Sequence, residues 1–502
     1  MQDHYYITTP IYYVNDKPHI GHAYTSIASD IIARFMRLDG RDLKFLTGTD
    51  EHGQKVEKSA QKQNIDPKDF TDNVSLYFLD LMKKCKISND DFIRTTEERH
   101  KKSVIEFWKK LEDRGDIYLG KYSGWYSIRD EAFYQESELV DKKAPTGSDV
   151  EWVEEESYFF RLSKYTDKLL EFYQQNPNFI VPKTRYNEVV SFVKGGLSDL
   201  SISRTTFSWG IKVPGNDKHI IYVWLDALVN YISALGYPKG AEYEKFWPAN
   251  VHIVGKDILR FHAVFWPAFL LSAELPLPKT ILAHGWWTIE GEKMSKSLGN
   301  VIDPNEIIEE FGLDPFRYFL IREIIFGSDG NFVKQNLITR NDSELANKIG
   351  NLSQRVISFI YKNCNATIPE YKNIYDEEIL QYANNLYSRI LDHIKKFELS
   401  SAIAEIIKLA DIANLYIDEK APWVLKKTDI KKMEYHLCVL LEIIRYIAIL
   451  LLPFIPDSAN KMLDQLNISP DERNFSYLSK EYSIKSGTII EEPKPIFRKL
   501  GK

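Results

Sequence analysis

An α/β protein whose parallel sheet is split by an insertion, followed by an all-α helical bundle, is predicted by three observations. Short β-branched and aromatic runs alternate with helical spacing near the N-terminus. Similar apolar runs return only after about residue 220, and from about residue 343 the apolar spacing is helical throughout.

Residues 5–11 are aromatic and β-branched, as expected of a buried parallel strand. The turn residues Asn15-Asp16-Lys17-Pro18 follow. A helical pattern then opens at Gly21-His22, continues through Ile27, Ile31, Arg34 and Phe35, and stops at Asp39-Gly40. Residues 43–46 read as a second strand closing a β-α-β unit, and residues 251–254 and 280–283 as further buried strands. These segments predict a Rossmann-type parallel-sheet domain, its first half in residues 1–115 and its second in 220–342. Between them, residues 116–219 read as a connective insertion rich in Tyr, Ser, Gly and Glu, with the acidic run Glu154-Glu155-Glu156.

In residues 343–502 the series Leu380, Ala383, Tyr387, Ile390, Ile394, Phe397 and Ala402, Ile406, Leu409, Ala413, Tyr416 step by three and four, as helix faces do. The most apolar run, 437–452, is broken by Glu442 and Arg445 and stopped by Pro453, which predicts a buried helix rather than a membrane span.

Composition narrows the class. The 502 residues, 44% hydrophobic and 27% charged, fit a soluble globular protein of several domains. A formal net charge of −6 supplies no global basic field, so any nucleic acid must be met by local patches. Cys85, Cys364 and Cys438 are far apart, form no metal-spaced pair and fit a reducing compartment. The N-terminus shows no signal-peptide pattern, and a cytoplasmic location is expected.

Two motifs carry the chemistry. Pro18-His19-Ile20-Gly21-His22 follows the first strand, where a helix N-terminus offers unpaired N–H groups and a positive dipole end to phosphate. His19 and His22 can add imidazole donors there, and Gly21 removes a side chain where nucleotide approaches closely. Far downstream, Gly291-Glu292-Lys293-Met294-Ser295-Lys296-Ser297 places two lysines three apart among small residues. Such a lid can clamp charge developing on pyrophosphate. Gly255-Lys256-Asp257 follows the 251–254 strand, where Asp257 can accept from ribose hydroxyls.

The histidine–glycine turn and the Lys-Met-Ser-Lys-Ser loop are the two signatures of class I aminoacyl-tRNA synthetases. Longer segments resemble the methionyl-tRNA synthetase family: Thr8-Thr9-Pro10-Ile11-Tyr12-Tyr13-Val14-Asn15, Phe45-Leu46-Thr47-Gly48-Thr49-Asp50-Glu51-His52-Gly53, Tyr222-Val223-Trp224-Leu225-Asp226-Ala227, Phe261-His262-Ala263-Val264-Phe265-Trp266-Pro267 and Lys420-Ala421-Pro422-Trp423. The resemblance implies activation of L-methionine with ATP and Mg²⁺, then transfer to tRNA(Met), initiator tRNA included. His19, His22, Lys293 and Lys296 would act in catalysis; these four with Gly21, Gly255, Asp257 and Ser295 would bind ATP. It also implies Asp50 for the methionine ammonium, with the backbone near Ile11, and a pocket of Tyr13, Trp224, Ala227, Tyr231, His262 and Phe265. An aromatic pocket suits a thioether, because sulfur–aromatic contacts contribute about 0.3–1.5 kcal/mol. Arg204 would couple the amino-acid and ATP sites.

At the anticodon end the resemblance implies Asn351, Arg355 and Trp423, the first two a helical turn apart and the last near Lys426, Lys427, Lys431 and Lys432. Two departures stand out. Leu228 replaces a proline found in many relatives. Where some members hold zinc with cysteine pairs, this chain carries Ser127, Asp130, Ala144 and Gly147, so no structural zinc is expected and no metal site is assigned. The chain ends soon after the bundle, without the extension that dimerises some relatives, and a monomer is expected.

Overall fold

The computed structural model describes residues 4–130, 132–134, 136–289, 292–293 and 301–501. It divides into two units, Met1–Ser29 with Asp42–His284, and Asp30–Arg41 with Gly285–Lys502.

The first unit is built on a parallel sheet of β1 (His4–Thr8), β2 (Tyr12–Tyr13), β3 (Asp42–Asp50), β4 (Asp91–Arg94), β5 (Ile180–Val181), β6 (Val251–Gly255) and β7 (Ile281–His284). One edge of β3 pairs with β1 and then β2, and its other edge pairs with β4; β6, β7 and β5 follow beyond β1. Tyr6, Ile7, Phe45, Leu46, Ile253 and Val254 are buried, as strands covered on both faces must be. β5 comes from within residues 116–219, so that stretch returns once to the sheet edge before leaving again.

The 5–11 run breaks in two because Pro10 has no N–H for the ladder. Thr9 bridges the gap, donating from Oγ1 to the Pro10 carbonyl at 2.8 Å and to Thr47 Oγ1 at 2.7 Å. β3 runs four residues beyond the apolar 43–46 stretch, to Asp50. There Gly48 permits β4 to approach: a Cβ would lie 2.0 Å from the Ile93 carbonyl oxygen. Helix α1 (Ile20–Leu38) starts at the His19 turn.

Residues 117–127 and 151–160 pair antiparallel, with Ala132–Tyr134 and Leu200–Ser201 at the two edges. A second small sheet joins Ser203–Arg204, Asn216–Ile221 and Lys212–Val213.

The second unit is mainly helical, with long helices at Leu399–Lys420 and Ile430–Leu451. The apolar run of the latter is buried. Arg445 Nε donates to Glu442 Oε1 at 3.0 Å, and Tyr375 donates to the same oxygen at 2.6 Å, so the interrupting charges are paired inside the unit. Among the described residues no helix is long and apolar enough to cross a membrane.

Candidate functional site

The C-terminal ends of parallel strands are the usual location of ligands in such sheets, and Asp50 and the Gly255–Asp257 turn lie at the ends of β3 and β6. Asp50 ends β3 in register with Tyr13, and its carbonyl accepts from Val14 N–H at 3.1 Å. The carboxylate is almost wholly buried, at 7% exposure.

Helix Val223–Leu228 carries Trp224 and Ala227, and Tyr231 follows on the next turn. His262 and Phe265 sit on a π-helical turn, Phe261–Phe265, a local widening common at functional sites. Trp224 stacks on Phe261 with centroids 3.5 Å apart, and Phe265 meets Phe261 edge-on at 5.3 Å. Tyr231 and His262 are joined, Oη to Nε2, at 2.6 Å. His262 Nδ1 lies 2.9 Å from the Ile258 carbonyl, which can only accept, so the imidazole proton is on Nδ1. Burial pushes His262 down to about 4, against the opposing Ile258 hydrogen bond. Its neutral Nε2 therefore accepts, and Tyr231 donates. Beneath them Tyr231 stacks on buried His252 at 4.0 Å, and Tyr6 donates to the Tyr231 carbonyl at 2.8 Å. Ile11 and Tyr13 are half-buried, with Lys55 Nζ 5.2 Å from the Tyr13 ring centre.

At the start of α1, His19 N–H donates to His22 Nδ1 at 3.0 Å, and Gly21 N–H donates to His19 Nδ1 at 3.0 Å. Both Nδ1 lone pairs are thereby used, which places the proton of each ring on Nε2. The rings lie 4.0 Å apart. A Cβ on Gly21 would come 2.8 Å from His19 Cε1, so the glycine makes room for that ring. At the end of β6, Asp257 folds back over Gly255, where a Cβ would lie 2.5 Å from its Oδ1.

Arg204 is buried in the antiparallel region. Nη1 donates to Ser201 Oγ at 2.8 Å and the Ser203 carbonyl at 2.7 Å, and the guanidinium lies 4.2 Å over the Tyr222 ring. Lys293 belongs to a two-residue strand, Glu292–Lys293. Ser295 and Lys296 lie outside the described residues.

In the second unit Asn351 and Arg355 occupy helix Asn351–Asn363, and Arg355 lies 5.5 Å over the Trp423 ring while pairing with Asp418 at 2.7 Å. Trp423 is 43% exposed, which rules out a core role. Ala421 puts it there: a left-handed φ of 42° ends one helix and turns the chain into Pro422–Thr428.

Comparison with known proteins completes the picture. A family model described as tRNA synthetases class I (M) matches residues 5–151 and 136–357, and one described as the anticodon binding domain of methionyl tRNA ligase matches 369–502. The methionine–tRNA ligase of Rickettsia conorii is 63% identical over 100% of both chains, and that of Rhizobium meliloti 51% identical over 98% of this chain and 97% of its own. The chain belongs to the methionyl-tRNA synthetases. The Mycobacterium tuberculosis methionyl-tRNA synthetase in complex with methionyl-adenylate superposes with a TM-score of 0.95, at 45% identity over 99% of each chain.

Ser127, Asp130, Ala144 and Gly147 belong to one hydrogen-bonded region, where Ala144 N–H donates to the Ser148 carbonyl at 2.9 Å and Gly147 N–H to the Ala144 carbonyl at 2.7 Å. Ser127 and Ser148 hydroxyls meet at 2.7 Å, and Asp130 accepts from Thr146, Ser148 and, at 3.2 Å, Tyr134. Burial opposes its charge, yet the Ser148 and Thr146 hydroxyls hold Asp130 below the usual carboxylate range. Of the four residues only Asp130 has a side-chain donor suited to zinc, so the set does not fit that ion.

Sequence reasoning passed over His252, His100 and Ser233, and assigned no role to Phe261, His52 or Asp226 although all three lie in the quoted segments. Phe261 was legible in principle, one residue before His262. The buried polar groups were not, because their partners are more than 100 residues away.

Proposed function

We propose that this chain activates methionine, with methionine and ATP received in the first unit and Lys293, Ser295 and Lys296 acting on the pyrophosphate, and that the exposed Asn351–Arg355–Trp423 cluster reads the tRNA anticodon. The observation that carries the reading is a buried carboxylate, Asp50, in the same unit as an aromatic pocket and two histidines whose Nε2 protons are directed away from the backbone. Asp50 receives the methionine ammonium beside the Ile11 backbone. Tyr13, Trp224, Ala227, Tyr231, His262 and Phe265 enclose the side chain.

ATP lies along the α1 N-terminus and the Gly255–Asp257 turn, with Asp257 accepting from ribose. Among the described residues no three His, Cys, Asp or Glu gather as a metal cage, so Mg²⁺ would arrive on the ATP phosphates, its common mode of binding. The methionine carboxylate oxygen attacks the α-phosphorus, and the bond to the β-phosphate oxygen breaks. His19 and His22 donate to the phosphoryl oxygens. Lys293, Ser295 and Lys296 stabilise the departing pyrophosphate. A hydroxyl of the terminal adenosine of tRNA(Met), initiator tRNA included, then attacks the methionyl carbonyl and AMP leaves. Positioning and electrostatics suffice for both steps. Arg204, held by Ser201 and the Tyr222 face, couples the two substrates. The enzyme works as a monomer in the cytoplasm.

ATP–pyrophosphate exchange measured with each of the twenty amino acids tests this reading. Methionine should support exchange without tRNA. Comparable exchange with another amino acid, or a requirement for tRNA, would overturn it.

A further inference from the structure

Asp226 lies between Trp224 and Ala227 on helix Val223–Leu228 and is wholly buried, at 0% exposure. Its Oδ2 is 2.6 Å from His52 Nδ1, and its Oδ1 is 2.7 Å from His100 Nε2. Both imidazoles must donate, because an ionised carboxylate only accepts. His100 Nδ1 continues the chain to Ser233 Oγ at 2.8 Å. Burial opposes the negative charge, but His52, followed by His100, outweighs it and holds Asp226 at about 2.

A buried carboxylate with its polar partners is weak as a stability device, since apolar residues of similar volume often serve as well. What such an arrangement supplies is a fixed geometry. His52 stands two residues beyond Asp50, the last residue of β3, so a bond that fixes His52 restrains the chain just past that strand end. Glu51, between them, is locked as well: Arg94 grips it at 2.6 and 2.9 Å, Thr49 donates at 2.7 Å and Thr96 at 2.5 Å. Trp209 closes the end, its Nε1–H donating to the Glu51 carbonyl at 2.6 Å and its own carbonyl accepting from Gly53 N–H at 3.0 Å.

We propose that Asp226 is a positioning residue for amino-acid recognition, fixing through His52 the strand end that aims Asp50 at the substrate ammonium, and tying that end to the helix that presents Trp224 and Ala227. The proposal rests on Asp50 as the ammonium partner. It needs no proton transfer, since both hydrogen bonds persist through the reaction.

The readout is ammonium discrimination: the ratio of dissociation constants of the desamino analogue 4-(methylthio)butanoate and of methionine, measured by competition in exchange. Asp226→Asn should lower that ratio by about 10-fold, the order expected when one charge-assisted hydrogen bond is lost. Analogue affinity and ATP KM should stay within about 3-fold. Parallel weakening of both ligands, with the ratio intact, would overturn the proposal.

A second pair stands if Asp226→Asn fails to fold. His52→Ala should lower the ratio similarly, whereas His52→Asn, whose amide N–H sits where Nδ1–H was, should preserve it. Equal losses in the two, or no loss in His52→Ala, overturn the tether. Asp50→Asn separates this proposal from its parent. An intact ratio there refutes Asp50 as the ammonium partner. A collapsed ratio there with an intact ratio in Asp226→Asn refutes the tether alone.

Discussion

The two recognition surfaces proposed for this chain are built in opposite ways. On the amino-acid side the paired groups are buried: Tyr231 is bonded to His262, His262 to the Ile258 carbonyl, and Asp226 to two imidazoles. Around Trp423 the groups are exposed, and the Arg355–Asp418 pair that holds the cluster at 2.7 Å is a surface pair with 40% and 61% side-chain exposure. Pairs of that kind contribute only about 0–1 kcal/mol and exchange readily for a ligand. A small zwitterion needs a rigid dry pocket, because each misplaced donor costs a large part of its small binding energy. An unstacked anticodon base needs only an open aromatic face with a cation beside it.

The largest effect should leave both surfaces alone. Replacing Lys296 by Ala should slow adenylate formation by roughly 10²–10³, the cost of one preorganised charge donor at a transition state. Methionine affinity and tRNA affinity should hardly change. Pre-steady-state adenylate formation checks this; an unchanged rate would remove the loop from the chemistry and leave the comparison without a catalytic centre.

Trp423→Ala attacks the exposed surface. Stacking on a base is worth about 1–3 kcal/mol, so aminoacylation kcat/KM for tRNA should fall by roughly 5- to 150-fold. Methionine-dependent exchange and melting temperature should hold, because an exposed ring carries little packing. A matched fall in exchange and aminoacylation would mean that the surface is structural after all.

How legible these surfaces were follows from the same contrast. The sheet, the bundle and the nucleotide turn show in the sequence because apolar periodicity and helix-start chemistry are local. The break at Pro10 is equally local. The strand Ile180–Val181 was not visible, since two residues carry no period, and neither was the extension of β3 through Thr47-Gly48-Thr49, whose partner strand is remote. The pocket aromatics were named through resemblance, and the tautomers of His19, His22 and His262 emerge only from the backbone atoms beside them. The exposure of Trp423 depends on Ala421 adopting a left-handed backbone, which no residue preference announces.

A pH experiment sharpens the description of the pocket. His262 ordinarily titrates near 6.5 and burial holds it near 4 in the folded chain. Between these values the unfolded chain binds the proton and the folded chain refuses it. Folding stability is therefore lost as pH falls from about 6.5 toward 4, and is recovered above that window. Denaturant unfolding of wild type and His262→Gln across pH 8 to 4.5 should show the wild-type advantage shrinking by about 1–3 kcal/mol on acidification. A constant difference would mean that His262 titrates normally, and that the pocket is wetter than its burial implies.

The smallest effect concerns one hydroxyl. Tyr231 gives its proton to His262 Nε2, so toward a thioether it presents a ring and an oxygen lone pair rather than a donor. Tyr231→Phe removes that bond while keeping the ring stacked on His252. The net worth of such a bond is about 0.5–1.5 kcal/mol, so the methionine KM in exchange should rise by roughly 2- to 12-fold. Use of tRNA at saturating methionine should not change. The norleucine analogue, which replaces sulfur by CH₂, then separates two accounts of the loss. If the hydroxyl only orients His262 and the ring, methionine and norleucine should weaken by the same factor in Tyr231→Phe. If the hydroxyl turns to donate to sulfur when methionine binds, only methionine should weaken, and the Tyr231–His262 bond would belong to a pocket that rearranges rather than to one that is fixed.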